Sequence, residues 1–190
     1  RIENNIGKIT LYATSEQGYK NLTKLSSSSY LNNKETEDPS CELNDLILNN
    51  EDLILLTGNY YNFFGKLFYS NKIKDFEKII KTLKNTFNER MYFEIQRHGE
   101  NEEKNFENYL LNLSKTQGIP LIATQEVFYL KDDMYEAHDA LTCIGEKNFV
   151  EDKNRFKYSN QHYLKNEEEL LKLYADIPEA LENNYNFHLR

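Results

Sequence analysis

Two short apolar runs, at residues 91–95 and 119–124, each end abruptly in polar side chains, and a helical pattern lies between them. Apolar residues recur at helical spacing from 101 to 117, namely Phe106, Tyr109, Leu110 and Leu113. A strand, a helix and a second strand in this order predict a βαβ unit, whose two strands run parallel. The chain is therefore expected to belong to the α/β class.

Polar side chains of catalytic type follow both predicted strands. His98 comes after the first strand, and Glu126 comes after the second. In parallel sheets and in α/β barrels, ligands bind at the carboxyl ends of the strands. The sequence therefore predicts part of an α/β barrel that places His98 and Glu126 at its functional face.

The whole pattern is about four strands interleaved with helices, without an internal repeat. The other strands are predicted at 8–13 and 53–57. The other helices are predicted after a Ser15 cap, at 42–48, 73–87, 137–144 and 167–174, and from Pro178. Polar stretches predict loops at 26–40 and 148–161. Since a closed barrel of the common type needs about eight strand–helix units, we expect residues 1–190 to be a single domain from a longer protein.

Composition argues against several functions. The formal net charge of −8 argues against this segment holding a nucleic-acid backbone by itself. No apolar run approaches the roughly 20 residues that span a bilayer, so no membrane contact is expected. Cys41 and Cys143 lie far apart and form no CxxC pair. We interpret them as reduced thiols of a cytoplasmic protein.

Seven motifs follow one another in an order typical of one family. They read QGYKNL (17–22), LILLTG (53–58), FEIQRHG (93–99), IPLIAT (119–124), AHDALTCI (137–144), YLKNEEE (163–169) and DIPEALEN (176–183). This series resembles the amino-terminal PHP (polymerase and histidinol phosphatase) domain of the alpha subunit of bacterial DNA polymerase III. The resemblance covers nearly the whole chain and is weakest at 26–45.

The resemblance implies a partial distorted TIM-like barrel, of which this chain is the carboxyl-terminal part. The parent protein is then a DNA-directed DNA polymerase, a nucleotidyltransferase of DNA replication. Its polymerase domains, which hold catalytic Mg²⁺ and bind DNA, are absent from this segment. The implied partners are the proofreading exonuclease subunit and the other subunits of the polymerase III holoenzyme.

The resemblance also assigns positions in a metal site. Metal-competent PHP domains gather His, Asp, Glu and sometimes Cys around up to three metal ions, which can activate water against a phosphodiester. Here His98 matches a family histidine, and Glu126 stands where the family has aspartate. Asn59 occupies a position that is often Cys, and Phe128 replaces a histidine. Phenylalanine cannot bind metal, and an amide offers a transition metal only a weak oxygen.

Our first hypothesis is a structural and docking module with an eroded site, no catalytic residues and no cofactor. The alternative is an active metal-dependent phosphoesterase or 3′-5′ exonuclease with Zn or Mn at His98 and Glu126; a weaker third option is an unrelated barrel hydrolase. His98 could equally be a hydrogen-bonded or solvated loop histidine. Glu126 could pair with Arg97 or another cation across the mouth of the barrel, or cap a local turn. His138 is a candidate for the rim of the barrel, although a packed helix histidine is the simpler interpretation.

Overall fold

The computed structural model describes residues 5–32 and 38–189. They form an α/β fold built on one open sheet of four strands in the order β1–β2–β3–β4. The strands are β1 (Thr10–Ala13), β2 (Leu53–Leu56), β3 (Met91–Ile95) and β4 (Leu121–Ala123). β1 runs antiparallel to β2, whereas β2, β3 and β4 are mutually parallel. The predicted α/β class is confirmed, and the sheet within this region does not close into a barrel.

Eight helices accompany the sheet within the described ranges. They are α1 (Glu16–Leu31), α2 (Leu43–Leu48), α3 (Phe63–Tyr69), α4 (Ile73–Phe87), α5 (Glu103–Gln117), α6 (Tyr135–Glu146), α7 (Glu167–Leu173) and α8 (Pro178–Phe187). Short 3₁₀ turns lie at Asn88–Arg90 and Asp132–Met134. The predicted βαβ unit is confirmed as β3–α5–β4, with Phe93 paired to Leu121. No helix of the described residues is long and apolar enough to cross a bilayer.

One predicted loop needs correction, and one helix was not predicted. The loop predicted at 26–40 begins too early, because α1 continues to Leu31. Serine has a modest helix propensity, but Leu25 and Ser29 are buried on this helix, so packing extends it beyond what the sequence pattern indicates. Residues 33–37 of that predicted loop lie outside the described residues. The helix that the sequence pattern did not predict is α3, whose side chains Phe64 and Leu67 are almost fully buried.

Gly18 of the QGYKNL motif allows α1 to pack closely against the turn before β2. The α1 helix begins after Ser15, whose hydroxyl accepts the backbone N–H of Gly18 at 3.1 Å, as the cap prediction required. A Cβ atom on Gly18 would lie 2.2 Å from the carbonyl oxygen of Asp52, in the turn before β2. The helix can therefore approach this turn closely only because position 18 has no side chain.

The two faces of the sheet carry apolar clusters of unequal size. Alternate residues of β3, namely Met91, Phe93 and Ile95, point into the main core against the helices. Tyr92 points to the opposite face, where it joins a small cluster with Ile54, Leu56 and Ile122. Glu94 lies on this second face, next to the carboxyl end of the strand. The strand alternation thus brings a buried carboxylate to the edge of the sheet where the candidate site lies.

Candidate functional site

The side chains singled out from the sequence meet at the carboxyl ends of β2, β3 and β4. Asn59 follows β2, His98 follows β3, and Glu126 follows β4. An open cavity of about 1160 Å³ begins here, with Asn59, Glu94 and Glu126 among its lining residues. The predicted convergence of these loops at one edge of the sheet is therefore observed.

His98 is buried, and both of its ring nitrogens are engaged. Its Nε2 accepts the backbone N–H of Glu126 at 3.1 Å, so the ring proton resides on Nδ1. That Nδ1 lies 3.1 Å from Oε1 of Glu103 and donates to it. His98 is only 3% exposed. The histidine therefore acts as a buried bridge between two loops, in agreement with the hydrogen-bonded alternative from the sequence.

Glu103 holds the loop that carries His98. Its carboxylate accepts the backbone N–H groups of His98 at 2.8 Å, Gly99 at 2.9 Å and Glu100 at 3.2 Å. Gly99 adopts φ = +78°, which lets consecutive N–H groups point to one side. The acidic residue also opens α5, where the helix dipole favours negative charge. The sequence analysis missed Glu103, although its place at the start of a predicted helix was a usable signal.

A second histidine, His162, lies against the first. The two imidazole rings stack with centroids 4.1 Å apart and planes 1° apart. Nδ1 of His162 donates to the backbone carbonyl of Glu126 at 3.0 Å. The two histidines thus hold the N–H and the C=O of a single residue, Glu126. His162 was missed because it is 36 residues from Glu126; its one sequence signal was its position directly before the 163–169 motif.

The environment of His162 disfavours its charged form. Burial, and then the neighbouring ring of His98, lower the pKa of His162 to about 4. Its Nε2 has no hydrogen-bond partner within the described part of the chain. This histidine is therefore neutral at physiological pH.

Folding stability should fall in mild acid because of His162. The pKa of this histidine is lower in the folded protein, so the unfolded chain binds its proton first. Above about pH 6.5 the histidine is neutral in both states, so the folded state has its full stability. As pH falls from 6.5 toward about 4, the unfolded chain gains a proton that the folded protein does not, and the free energy of unfolding falls. We expect the free energy of unfolding to fall by about 3 kcal/mol over this pH range. Denaturant titrations at several pH values should show a shallower acid loss in His162→Asn, which keeps an N–H donor; equal slopes would contradict this assignment.

Aromatic rings extend the histidine pair into a column. The ring of Phe128 stacks on His162, with 4.9 Å between ring centroids. The ring of His138 also stacks on Phe128, with 5.1 Å between centroids. Tyr158 leans against Phe128 at 4.7 Å. Phe128 is therefore a packing residue between two histidines. His138, the rim candidate, is a half-buried packed helix histidine, as the simpler interpretation held.

A polar network joins the ends of the three parallel strands. Asn59 donates to Oε1 of Gln96 at 2.6 Å, and Gln96 in turn donates to Glu94 at 3.1 Å and to Thr124 at 2.8 Å. The Thr124 hydroxyl also donates to Glu94. Burial raises the pKa of Glu94, and the negative charge of Glu126 adds to this effect. The sequence analysis missed Glu94, because it reads as an interior residue of a strand.

Glu126 has a different partner from the one considered. The hydroxyl of Tyr61 donates to Oε2 of Glu126. Burial and this hydrogen bond raise the pKa of Tyr61. Pairing of Glu126 with Arg97 is wrong, since Arg97 binds Glu107 and Asp176 instead. Glu126 is therefore fixed at its backbone by two histidines and at its side chain by a tyrosine.

The donor set at the family metal positions is largely committed to the protein itself. His98 presents no free ring nitrogen, Phe128 has no donor atom, and the Asn59 oxygen accepts the Tyr61 N–H at 3.2 Å. Only the Glu126 carboxylate remains partly open to solvent, at 33% side-chain exposure. Among residues 5–32 and 38–189, no group of three or more His, Cys, Asp and Glu side chains is arranged to hold a metal ion. As they stand, these side chains do not fit a catalytic metal centre.

Comparison with known proteins places these features in a wider context. A family model described as "PHP domain" matches residues 2–98. The DNA polymerase III subunit alpha of Caulobacter vibrioides is 35% identical over 182 residues, which is 96% of this chain and 16% of the relative. The same subunit of Rickettsia bellii is 36% identical, again over 96% of this chain and 16% of the relative. That of Vibrio cholerae is 33% identical over 93% of this chain and 15% of the relative. The chain thus spans about a sixth of the length of these curated relatives.

Proposed function

The chain belongs to the PHP domain family, and from this premise we propose that it is the PHP segment of a bacterial DNA polymerase III alpha subunit. The longer protein is then a cytoplasmic DNA-directed DNA polymerase, a nucleotidyltransferase that binds DNA and catalytic Mg²⁺ through other domains. In this proposal, the open sheet is one part of a distorted TIM-like barrel. The three parallel strands with their helices support it.

Within that protein, we assign this segment a structural and docking role with an eroded metal site. The observation that carries the assignment is the engagement of both His98 nitrogens, by Glu103 and by the Glu126 N–H. A metal ion at Nε2 would have to displace a buried backbone donor, which would then lose its partner. The ring column around Phe128 adds packing where a ligand would otherwise point. In this proposal, hydrogen bonds and ring stacking at this site hold the loops together.

Metal content tests the eroded site directly. The protein, with the amino-terminal strands of the barrel included, is purified without chelator and its bound transition metals are measured. We expect fewer than about one tightly held ion per chain, because the donor set is too small for a closed site. A matched measurement on Phe128→His shows whether the lost family ligand alone restores binding. Two or three ions in the unaltered chain would overturn the proposal, as would metal-dependent removal of 3′ nucleotides that His98→Ala abolishes.

Five exposed apolar side chains within sixteen residues of the chain, called the ridge below, support the docking role. The ridge consists of Leu141, Ile144, Phe149, Val150 and Phe156, on α6 and the loop that follows, and each side chain is more than half exposed. Exposed apolar groups that lie together mark interaction surfaces. We therefore propose this ridge as the surface that meets the proofreading exonuclease subunit.

The loop that carries the ridge is held in place by a buried ion pair. Arg155 makes two hydrogen bonds of 2.6 Å to the carboxylate of Asp139, and both side chains are less than a tenth exposed. The same guanidinium donates to the carbonyl of Val150 at 3.2 Å. Arg155 holds the pKa of Asp139 below its usual range. The apolar side chains are thus presented on an ordered backbone, which lowers the entropic cost of binding a partner.

Lysine substitutions in the ridge test the docking surface. We expect the double variant Ile144→Lys/Phe149→Lys, in the full-length polymerase subunit, to bind the exonuclease subunit at least about tenfold more weakly. Leu48→Lys is the control, because Leu48 is also an exposed leucine but lies on α2. Titration of the exonuclease subunit against each variant measures the affinity. Unchanged binding of the ridge variant, or equal loss in the control, would argue against this surface.

A further inference from the structure

Lys165, the lysine of the YLKNEEE motif, is a buried cation at the edge of the sheet where the candidate site lies. The residue is only 8% exposed. Its backbone N–H donates to Oε1 of Gln125 at 3.2 Å, and Gln125 precedes Glu126 in the loop after β4. Lysine is almost never this deeply buried unless other groups stabilise its charge. The surroundings of this ammonium group therefore indicate what it does.

Several groups around the ammonium of Lys165 favour its positive charge. Its Nζ donates to the backbone carbonyl of Gln161 and lies 4.3 Å from the centroid of the Tyr163 ring. Carbonyl oxygens and the faces of aromatic rings both attract a cation. Burial lowers the pKa of Lys165, whereas the negative charges of Glu169 and Glu103 oppose this effect. The ammonium form is therefore stabilised from several sides, and one of these sides is Glu103.

Backbone hydrogen bonds fix the segment that carries Lys165. Near the carboxyl end of this segment, the N–H of Leu164 donates to the carbonyl of Tyr129 at 3.0 Å. At its amino end, the N–H of Ser159 donates to Oε1 of Glu100 at 3.0 Å. The segment from Ser159 to Lys165 therefore lies across two loops, the one after β3 and the one after β4.

Gln161 joins Lys165 to the loop that Glu103 holds. The side chain of Gln161 packs over Gly99, where its Cγ lies 3.9 Å from the position that a Cβ atom would take. The N–H of Gly99 in turn donates to Oε2 of Glu103 at 2.9 Å. Because the ammonium binds the carbonyl of Gln161, its charge lies beside the loop whose N–H groups surround the Glu103 carboxylate.

The carboxylate of Glu103 is a buried anion, and a buried charge is costly unless an opposite charge offsets it. Arg97 lies on the same loop, but its guanidinium is bound to Glu107 and Asp176. Lys165 is the buried lysine whose charge and that of Glu103 favour each other. The two groups thus form a long-range pair in a part of the protein from which water is largely excluded.

We propose that the ammonium of Lys165 is the fixed cation of this site, which supplies to the buried carboxylate of Glu103 the positive charge that a bound metal ion would otherwise supply. This inference rests on the eroded site proposed above. Because the cation belongs to the chain itself, segment 159–165 and the His98 loop hold each other in place without a metal ion. Lys165 acts through Gln161 and Glu103, so it is a positioning residue.

Lys165→Met in the full-length polymerase subunit tests this role. Methionine keeps an unbranched chain of similar length and removes the charge. We expect the backbone amides of residues 98–103 to exchange hydrogen at least about tenfold faster, because the loop opens more often when Glu103 lacks its counter-charge. Mass spectrometry of peptides that cover this loop measures the exchange. Lys172→Met is the matched control, since Lys172 is an exposed lysine of α7 whose charge also acts on Glu169, and it should leave the exchange unchanged.

Two further variants separate the charge of Lys165 from its packing. Lys165→Arg keeps the charge, so its loop should exchange more slowly than that of Lys165→Met. In Glu103→Gln the anion is gone, so adding Lys165→Met should speed the exchange by no more than about twofold. If Lys165→Met does not fold, Lys165→Gln is read in the same way.

Three results would overturn the role of Lys165. They are unchanged exchange in Lys165→Met, exchange in Lys165→Arg as fast as in Lys165→Met, and a tenfold effect of Lys165→Met that persists in Glu103→Gln. Metal content of the same full-length preparations separates this inference from its premise. Tightly bound ions in the unaltered protein overturn the eroded site, whereas a metal-free protein with any of the three exchange results overturns only the role of Lys165.

Discussion

Replacing Glu103 by alanine is expected to lower the free energy of unfolding by about 3 kcal/mol. The carboxylate accepts three consecutive backbone N–H groups and the Nδ1–H of His98, and the residue is only 8% exposed. Its removal leaves the buried His98 donors without an acceptor. Water can reach the exposed Gly99 N–H, so the loss stays below the sum of four full penalties.

Glu103→Gln provides the matched control for this expectation. The amide keeps one acceptor oxygen and nearly the same volume, so about half of the loss should return. Urea titration measures the free energy of unfolding, and the imidazole signals of His98 report its hydrogen bonds. If Glu103→Ala costs less than about 1 kcal/mol, or if glutamine is no better than alanine, the carboxylate does not hold this loop.

Replacing Arg97 by methionine is expected to cost about 3–5 kcal/mol. The guanidinium binds Glu107 and Asp176, donates to the carbonyl of Leu173, and lies over the ring of Tyr174 at 5.0 Å. It thereby ties the loop after β3 to α5, α7 and the turn before α8. The side chains of Arg97 and Glu107 are 18% and 14% exposed, so the variant leaves a largely buried carboxylate without its cation.

Two further variants test whether the burial of Glu107 accounts for the stability lost in Arg97→Met. Asp176→Asn should cost less than about 1 kcal/mol, because the Asp176 side chain is 64% exposed and water screens it. The double variant Arg97→Met/Glu107→Met should recover part of the single loss, since no buried charge remains unpaired. Thermal and denaturant unfolding measure all three. If the double variant is less stable than Arg97→Met, the unpaired carboxylate of Glu107 is not the cause of the stability lost in Arg97→Met.

Sequence periodicity predicted the elements that lie on the surface of the main core. α4 is an example, since Phe76, Ile80 and Leu83 recur on one face and are all buried. The β3–α5–β4 unit followed from two apolar runs and one helical pattern. α3 was missed because its seven residues, FFGKLFY, are too short and too uniformly apolar to show a helical period.

The candidate site was predictable in place but not in its contacts. Strand order put His98 and Glu126 at one edge of the sheet, as any parallel sheet would, and the family resemblance added Asn59. Glu103 lies only five residues from His98 and could have been found from its place at the start of α5, but the partners on other loops could not be predicted, because those bonds join residues far apart in sequence. The bond between Glu126 and His98 spans 28 positions, and that between Asn59 and Gln96 spans 37.

The sequence by itself determined the α/β class and the family resemblance. These follow from residue type and from local spacing, which the chain carries before it folds. The tertiary structure alone decided that His162 stacks on His98, that His98 binds the backbone of Glu126, and that two asparagines of α8 bind the carbonyls of β4. Hydrogen bonds and ring contacts depend on ångström-scale distances between segments, and only the packing of the whole chain fixes those distances.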